Sequence, residues 1–126
     1  IANPIAKIGL PLGLNNFELL PFWTAFLRKL GFETILSDVS TRDMYMQGQH
    51  SIPSDTVCYP AKLMHGHIEN LLEKGVDAIF YPCMTYNLDE ERATNHYNCP
   101  VVAYYPELLK ANVSALADFD FYDAVL

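Results

Sequence analysis

The run VDAIFYP at residues 76–82 is a nearly continuous apolar stretch of strand length. Such a run is typical of a strand that is buried on both faces of a parallel sheet. Three further β-rich runs are spaced along the chain, and a segment with helical patterning follows each strand. This alternation of strand and helix predicts an α/β fold with a parallel sheet. The four predicted strands are residues 5–10, 32–37, 76–82 and 100–106.

The segments between these strands carry residues that begin and end helices. Asn15 or Asn16 can cap the first helix, where Pro21 suits the first turn and Gly31 the end. Ser40 is expected to cap a short second helix, and Gly75 to end the third. The helical patterns cover residues 19–30, 41–47, 59–74, 89–94 and 107–116.

We therefore predict a doubly wound, three-layer α/β sandwich with a four-stranded parallel sheet in the flavodoxin-like order 2-1-3-4. Right-handed crossovers would place helices on both faces of this sheet. The length of 126 residues and the apolar fraction of 51% suit a single domain, residues 1–126, with one core. Because the chain starts at Ile1 without Met, we expect it to be a domain cut from a larger protein.

Charge and composition exclude some classes of function. The net charge is −7, and the eight Lys and Arg residues form no basic stripe, which argues against a nucleic-acid partner. No apolar run approaches the roughly 20 residues that span a bilayer, so no membrane association is expected. Three cysteines fit no common zinc motif or secreted disulfide framework. We expect reduced thiols and a cytoplasmic location.

The stretch TVCYPAKLMHGH at residues 56–67 places reactive side chains at the start of a predicted helix. Unpaired N–H groups there favour the thiolate of Cys58, and Lys62 would add to that effect. Ligands of such sheets bind outside the carboxyl ends of the strands, where both Cys58 and Cys83 are expected. Cys99 precedes the predicted fourth strand, so it is expected at the opposite edge, about 17 Å away.

A structural interpretation of the same residues remains open. Free cysteines are often small apolar residues of the core. His65 and His67 lie two positions apart, so they point to different sides of the helix and can be ordinary helix residues. The aromatic residues of the first helical region are assigned to the core: Phe17, Phe22, Trp23 and Phe26.

Three stretches of the sequence resemble a known family: GLPLGLNNFELLPFWTAFLRKLGFETILSD, SIPSDTVCYPAKLMHGHIENLLEKGVDAIFYPC and NCPVVAYYPELLK. The chain resembles, over residues 8–113, a domain of the acyl-CoA dehydratase activase-related proteins. These are large anaerobic proteins similar to the activators and iron–sulfur D components of 2-hydroxyacyl-CoA dehydratases, such as 2-hydroxyglutaryl-CoA dehydratase. The block Cys-Tyr-Pro-Ala-Lys with His-Gly-His carries the resemblance most specifically.

The resemblance implies a [4Fe–4S] cluster held by cysteine thiolates, which agrees with the expected positions of Cys58 and Cys83. The third ligand is then Cys99 or a residue outside this chain. Lys62 would offset negative charge, and His65 or His67 would donate a hydrogen bond to a cluster sulfur. The ATP-binding motifs of the activase are missing, so no catalytic residue and no complete active site are expected here.

The leading hypothesis is an iron–sulfur domain of a 2-hydroxyacyl-CoA dehydratase activator, which acts in ATP-dependent, low-potential electron transfer. Its expected partners are the ATPase part of its own protein and the dehydratase. The alternative is a non-catalytic α/β interaction domain that docks the activase to its dehydratase partner without a cluster. A third hypothesis, a flavin-binding electron carrier, rests on the fold analogy alone.

Overall fold

A computed structural model describes residues 3–87, 89–92 and 94–126 of the chain. Strands and helices alternate along it, and two short 3₁₀ helices, Gln49–Ser51 and Ser114–Leu116, connect them. The strands are β1 (Lys7–Leu10), β2 (Glu33–Leu36), β3 (Ala78–Phe80) and β4 (Asp120–Tyr122). The helices are α1 (Leu14–Glu18), α2 (Leu20–Lys29), α3 (Arg42–Gly48), α4 (Tyr59–Glu73) and α5 (Pro100–Asn112).

The four strands form one parallel sheet in the order β2-β1-β3-β4. Ile8 of β1 lies opposite Thr34 of β2 and Ala78 of β3, and Ala78 lies opposite Asp120 of β4. The predicted α/β class and the predicted strand order are therefore confirmed. The carboxyl ends of all four strands meet at one edge of the sheet, which we call the carboxyl edge.

Each face of the sheet packs against a different helical layer. On one face, Ile8 and Leu10 pack with Trp23 and Leu27 of α2. On the other face, Ile79 packs with residues of α4 and α5, as does Tyr81 just beyond β3. Successive strand residues point to opposite faces, so the apolar run of β3 is explained by burial on both sides.

Gly9 of β1 lies at a close contact between the sheet and α4. A Cβ at Gly9 would lie 3.2 Å from Leu71 of α4 and 3.2 Å from Val76. The missing side chain lets α4 approach the centre of the sheet closely.

The fourth predicted strand is wrong. Residues 100–106 form the first half of α5 instead, and β4 follows at Asp120–Tyr122. Pro100 at the helix start and the apolar spacing of Ala103, Pro106 and Leu109 along the buried side explain why this segment is a helix.

Two smaller predictions also need correction. The side chain of Thr41, not Ser40, caps α3, because its hydroxyl accepts the N–H of Met44 at 3.1 Å. The exposed helix predicted over 89–94 is absent from residues 89–92 and 94, and residue 93 lies outside the described residues.

The core assignment of the aromatic residues in the first helical region holds only for Trp23. Phe17 of α1 is exposed, and Phe22 and Phe26 are exposed because α2 turns only Trp23 and Leu27 towards the sheet. None of the helices in the described part of the chain is both long and apolar enough to cross a bilayer.

Candidate functional site

Cys58 lies at the N-terminus of α4, at the carboxyl edge. It occupies the N-cap position with an extended backbone, and its side chain makes no capping hydrogen bond. The residue is exposed. Lys62, which was expected to support a thiolate here, donates from Nζ to the carbonyl oxygen of Asp55 at 2.6 Å. Its ammonium group therefore braces the loop before α4.

Cys83 follows β3 and is fully buried, with 0% of its surface exposed. Its backbone N–H donates to the carbonyl oxygen of Ala124 at 2.9 Å, and it bridges to Val125 beyond β4. Burial raises the pKa of the Cys83 thiol, and a hydrogen bond from the backbone of Glu107 only partly opposes this effect. The Cys83 side chain is thus a protonated thiol at neutral pH.

Cys99 lies at the carboxyl edge, and its predicted position at the opposite edge is wrong. It is the N-cap of α5, where its Sγ accepts the N–H of Val102 at 3.4 Å. The neighbouring Asn98 donates its backbone N–H to Thr85 at 3.1 Å and its side-chain N–H to Met84 at 2.8 Å. Both acceptors directly follow Cys83, so Cys99 is held beside the end of β3.

The three cysteines consequently lie at one edge of the sheet, on the side of α4 and α5. The expectation that Cys58 and Cys83 lie at the carboxyl edge agrees with their positions. However, within residues 3–87, 89–92 and 94–126, no three His, Cys, Asp or Glu side chains come together as a metal-ion site. With Cys83 buried and protonated as well, the described residues do not fit a complete cluster as they are arranged.

His65 is buried and uses both ring nitrogens inside the protein. The hydroxyl of Ser51 donates to the carbonyl oxygen of Gly48 at 3.1 Å, so it accepts the Nδ1–H of His65 at 2.7 Å. Nε2 of His65 then accepts the hydroxyl of Tyr105 at 2.7 Å. This chain of hydrogen bonds joins α3, α4 and α5.

Burial governs the ionisation of both His65 and Tyr105. Desolvation, with a further effect from His50, lowers the pKa of His65 to about 4. Burial raises the pKa of Tyr105 to about 12, and the nearby Cys58 adds to the shift. Both side chains are neutral at pH 7, so they support the fold by hydrogen bonding rather than by charge.

His67 is buried on another side of α4. Its Nδ1 lies 2.6 Å from Ser37 Oγ, and its Nε2 lies 2.8 Å from Ser40 Oγ. Ser37 Oγ also accepts the N–H of Leu12 at 2.7 Å. Desolvation lowers the pKa of His67 to about 4, and Asp38 opposes this shift. For either histidine, a contact to a cofactor would require a ring nitrogen to leave its present partner.

A cleft of about 940 Å³ opens at the carboxyl edge on the opposite side, between α2 and residues 84–87, 89–92 and 94–98. In the described part of this stretch, residues 84–87 and 94–98 run antiparallel, and Tyr86 lies opposite Tyr97. The pair is fastened where Asn87 donates to the carbonyl oxygen of His96 at 2.8 Å. Thirteen residues line the cleft: Glu18, Leu19, Phe22, Trp23, Met84, Tyr86, Asn87, Glu90, Arg92, Asn95, His96, Tyr97 and Leu126.

The sequence pattern missed this cleft and the position of Cys99. One signal for Cys99 was available: Cys58 and Cys99 each stand just before a helix whose first turn contains a proline, in Cys-Tyr-Pro and Cys-Pro. The cleft left no comparable signal, because its residues come from two segments more than 60 positions apart and from Leu126.

The sequence profile of one protein family, described as a CoA enzyme activase uncharacterised domain, matches residues 7–126. Neither the curated proteins nor the solved structures gave a significant match.

Proposed function

Because this chain belongs to that family of CoA enzyme activase domains, we propose that it docks an activator onto a 2-hydroxyacyl-CoA dehydratase. The observation that carries this proposal is an apolar stripe on the outer face of α2. Phe22, Phe26 and Leu30 recur every four residues and are 58%, 44% and 51% exposed. The rings of Phe22 and Phe26 stack with their centroids 6.1 Å apart. The three side chains form one ridge, which we call the α2 stripe.

A ridge of this kind is suited to packing against another protein. Residues four apart lie on the same side of a helix, so the α2 stripe is one continuous apolar surface. Exposed aromatic side chains that are grouped together mark interaction sites more often than scattered ones do. A partner that covered the stripe would remove this surface from water.

The charge of the domain indicates the character of the partner surface. With a net charge of −7, the domain would attract a dehydratase surface that has an apolar centre and a basic rim. Association of this kind needs no metal, so the metal-free protein is expected to bind as well.

Co-elution of the full-length activator with its dehydratase in size-exclusion chromatography tests this function. We expect Phe26→Asp to abolish co-elution, because it places a charge in the centre of the α2 stripe. Tyr104→Asp is the matched control, since Tyr104 is a 48% exposed aromatic residue on α5, across the sheet. Co-elution that is equal in the wild type and in Phe26→Asp would refute docking through this stripe.

As a second candidate function we propose low-potential electron transfer through a [4Fe–4S] cluster in the same ATP-dependent system. It is supported by the location of all three thiols at the carboxyl edge, which adds Cys99 to the predicted ligands Cys58 and Cys83. Two of the three are exposed helix caps. Cys83 would have to become accessible, and ligands from outside this chain can complete the set.

Anaerobic reconstitution of the full-length protein, with iron and sulfide analysis and an EPR spectrum, tests the second candidate. We expect Cys58→Ser, Cys83→Ser and Cys99→Ser each to reduce cluster loading. Lys62→Ala, His65→Gln and His67→Gln would then show whether these side chains affect the reduction potential of the cluster. Full loading in all three cysteine variants would exclude these residues as ligands.

A further inference from the structure

We propose that the cleft between α2 and residues 84–87, 89–92 and 94–98 binds a flat, uncharged aromatic heterocycle. The cleft lies where ligands of doubly wound sheets bind. In the order β2-β1-β3-β4, the chain leaves β1 towards one side and β3 towards the other, so the crevice between the ends of these strands is the switch point of the sheet. Glu18 and Leu19 lie at the end of α1, the helix after β1, while Met84 and Tyr86 follow β3, and all four line the cleft.

Aromatic rings form both walls of this cleft. Phe22 and Trp23 of α2 stand on one side with their centroids 4.8 Å apart. Tyr86 and Tyr97 stand on the other side, 5.1 Å apart. Tyr97 is 72% exposed, and the nearby Phe22 is also mostly open to solvent. A flat ring bound in the cleft would cover these exposed faces and gain stacking contacts with them.

Hydrogen bonds join the two described segments of this wall that carry the tyrosines, residues 84–87 and 94–98. Asn98 donates its backbone N–H to Thr85 at 3.1 Å, and Asn87 Nδ2 donates to Asn98 Oδ1 at 2.9 Å. Tyr86 packs edge-on against the ring of His96, with the centroids 5.7 Å apart. The Tyr86 and Tyr97 rings are therefore positioned before a ligand arrives.

An unmade hydrogen bond at Trp23 points to a ligand with an acceptor atom. Trp23 lines the cleft and is only 8% exposed, and its buried Nε1–H has no acceptor among the described residues. A buried donor without a partner costs free energy, and a ring nitrogen or carbonyl oxygen would recover it only after a shift of the indole, because Nε1 is itself closed to solvent. The side chains of Asn87 and Asn95 offer further donors and acceptors at the wall.

The charged residues of the cleft disfavour an anionic ligand. Glu18 and Glu90 bring two carboxylates, and Arg92 brings one guanidinium group. Their sum is negative, which disfavours a phosphate group. The shared chemistry is thus that of an isoalloxazine or a purine ring without phosphate, and riboflavin and adenosine represent the two sources.

The experiment uses Trp23, the single tryptophan of the chain, as its reporter. The protein is titrated with riboflavin, adenosine and FMN while tryptophan fluorescence is followed, and equilibrium dialysis measures the same binding independently. We expect saturable quenching by riboflavin or adenosine, and weaker binding of FMN than of riboflavin. Saturation by only one of the two uncharged ligands identifies the ring that the cleft accepts.

Two matched pairs of variants locate the binding. Phe22→Ala should weaken binding about fivefold or more, because stacking on one ring contributes at least that much. Phe17→Ala removes a 61% exposed ring of α1 that does not line the cleft, and should bind like the wild type. Tyr97→Ala, which removes a cleft residue, and Tyr104→Ala, which removes a distant exposed ring, form the second pair.

Two results would overturn the proposal: no saturable binding of either uncharged ligand, or equal affinity in Phe22→Ala, Tyr97→Ala and the wild type. The outcome of this ligand-binding experiment can be distinguished from that of the docking experiment. Phe26→Asp tests the α2 stripe without removing a cleft residue, so either proposal can fail while the other stands.

Discussion

The three cysteine side chains differ in accessibility, although all lie at one edge of the sheet. Cys58 and Cys99 are exposed helix caps, whereas Cys83 is enclosed by the end of β3, the segment after β4 and α5. Thiol reactivity requires access and the thiolate form, and burial of Cys83 opposes both. The three cysteines, which the sequence presents as residues of one type, therefore differ in thiol reactivity.

Thiol labelling of the native protein checks this difference. With Ellman's reagent at pH 8, Cys58 and Cys99 should react rapidly, and Cys83 should react only after denaturant is added. Cys58→Ser and Cys99→Ser should each remove one fast thiol. Rapid reaction of a third thiol in the native protein would show that Cys83 is accessible.

Sequence reasoning identified the reactive residue types around Cys58 but could not identify the partners of the histidines. Ser51 and Tyr105, which bind His65, lie 14 and 40 positions away along the chain. Ser37 and Ser40 lie 30 and 27 positions from His67. Only the packing of α4 against its neighbours brings these groups together, and the spacing within one helix carries no information about it.

At the scale of elements, α3 and α4 are joined by a contact between two glycines. A Cβ on Gly66 would overlap the carbonyl group of Met44, and a Cβ on Gly48 would overlap the backbone around Gly66. The obstructing atoms are mostly backbone atoms, which cannot turn away as the end of a side chain can. The close approach of the two helices therefore depends on the absence of a side chain at both positions.

The Gly66→Ala variant tests this contact, because its effect can be compared with that of the same change in an open helix. In an open helix the change would stabilise the protein by about 1 kcal/mol, because alanine has the higher helix propensity. Here we expect the free energy of unfolding to fall by about 1–3 kcal/mol, because overpacking forces the backbones apart. Urea denaturation measures this change in the free energy of unfolding. Glu73→Ala, at an exposed residue in the last turn of α4, is the control. A stabilised Gly66→Ala protein would contradict the contact.

The strand order could be predicted from the alternation of elements, whereas the fourth strand could not be placed correctly. The run VVAYY has β-forming residues, but Pro100 and the cap at Cys99 begin a helix there. Its apolar residues then bury one side at helical spacing, so tertiary packing overrides β propensity. The true β4 is only three residues long and is flanked by acidic residues, so it resembles a polar tail.

At the scale of the whole molecule, the two buried histidines couple folding to pH. The folded-state pKa of both His65 and His67 is about 4, below the model value of 6.5 that applies to the unfolded chain. The unfolded chain therefore binds more protons as the pH falls below 6.5. The stability that these residues contribute is complete above that value, decreases as the pH falls, and is lost below about pH 4.

Urea denaturation between pH 7 and pH 5 measures this coupling. We expect the free energy of unfolding to fall towards pH 5, by at most about 1.4 kcal/mol per pH unit for each histidine. NMR of the imidazole signals supplies the control, because the rings of His65 and His67 should not titrate above pH 5 in the folded protein. A stability that is constant from pH 7 to pH 5 would contradict their burial as neutral rings.

The hydrogen bonds of His67 also have a consequence for motion at the carboxyl edge. The segments after β1 and β2 both depend on this one imidazole, since Ser37 and Ser40 contact its two nitrogens and Ser37 holds Leu12. Neither segment can swing away from α4 without disturbing the other. The opening of the two segments should therefore follow a single relaxation time.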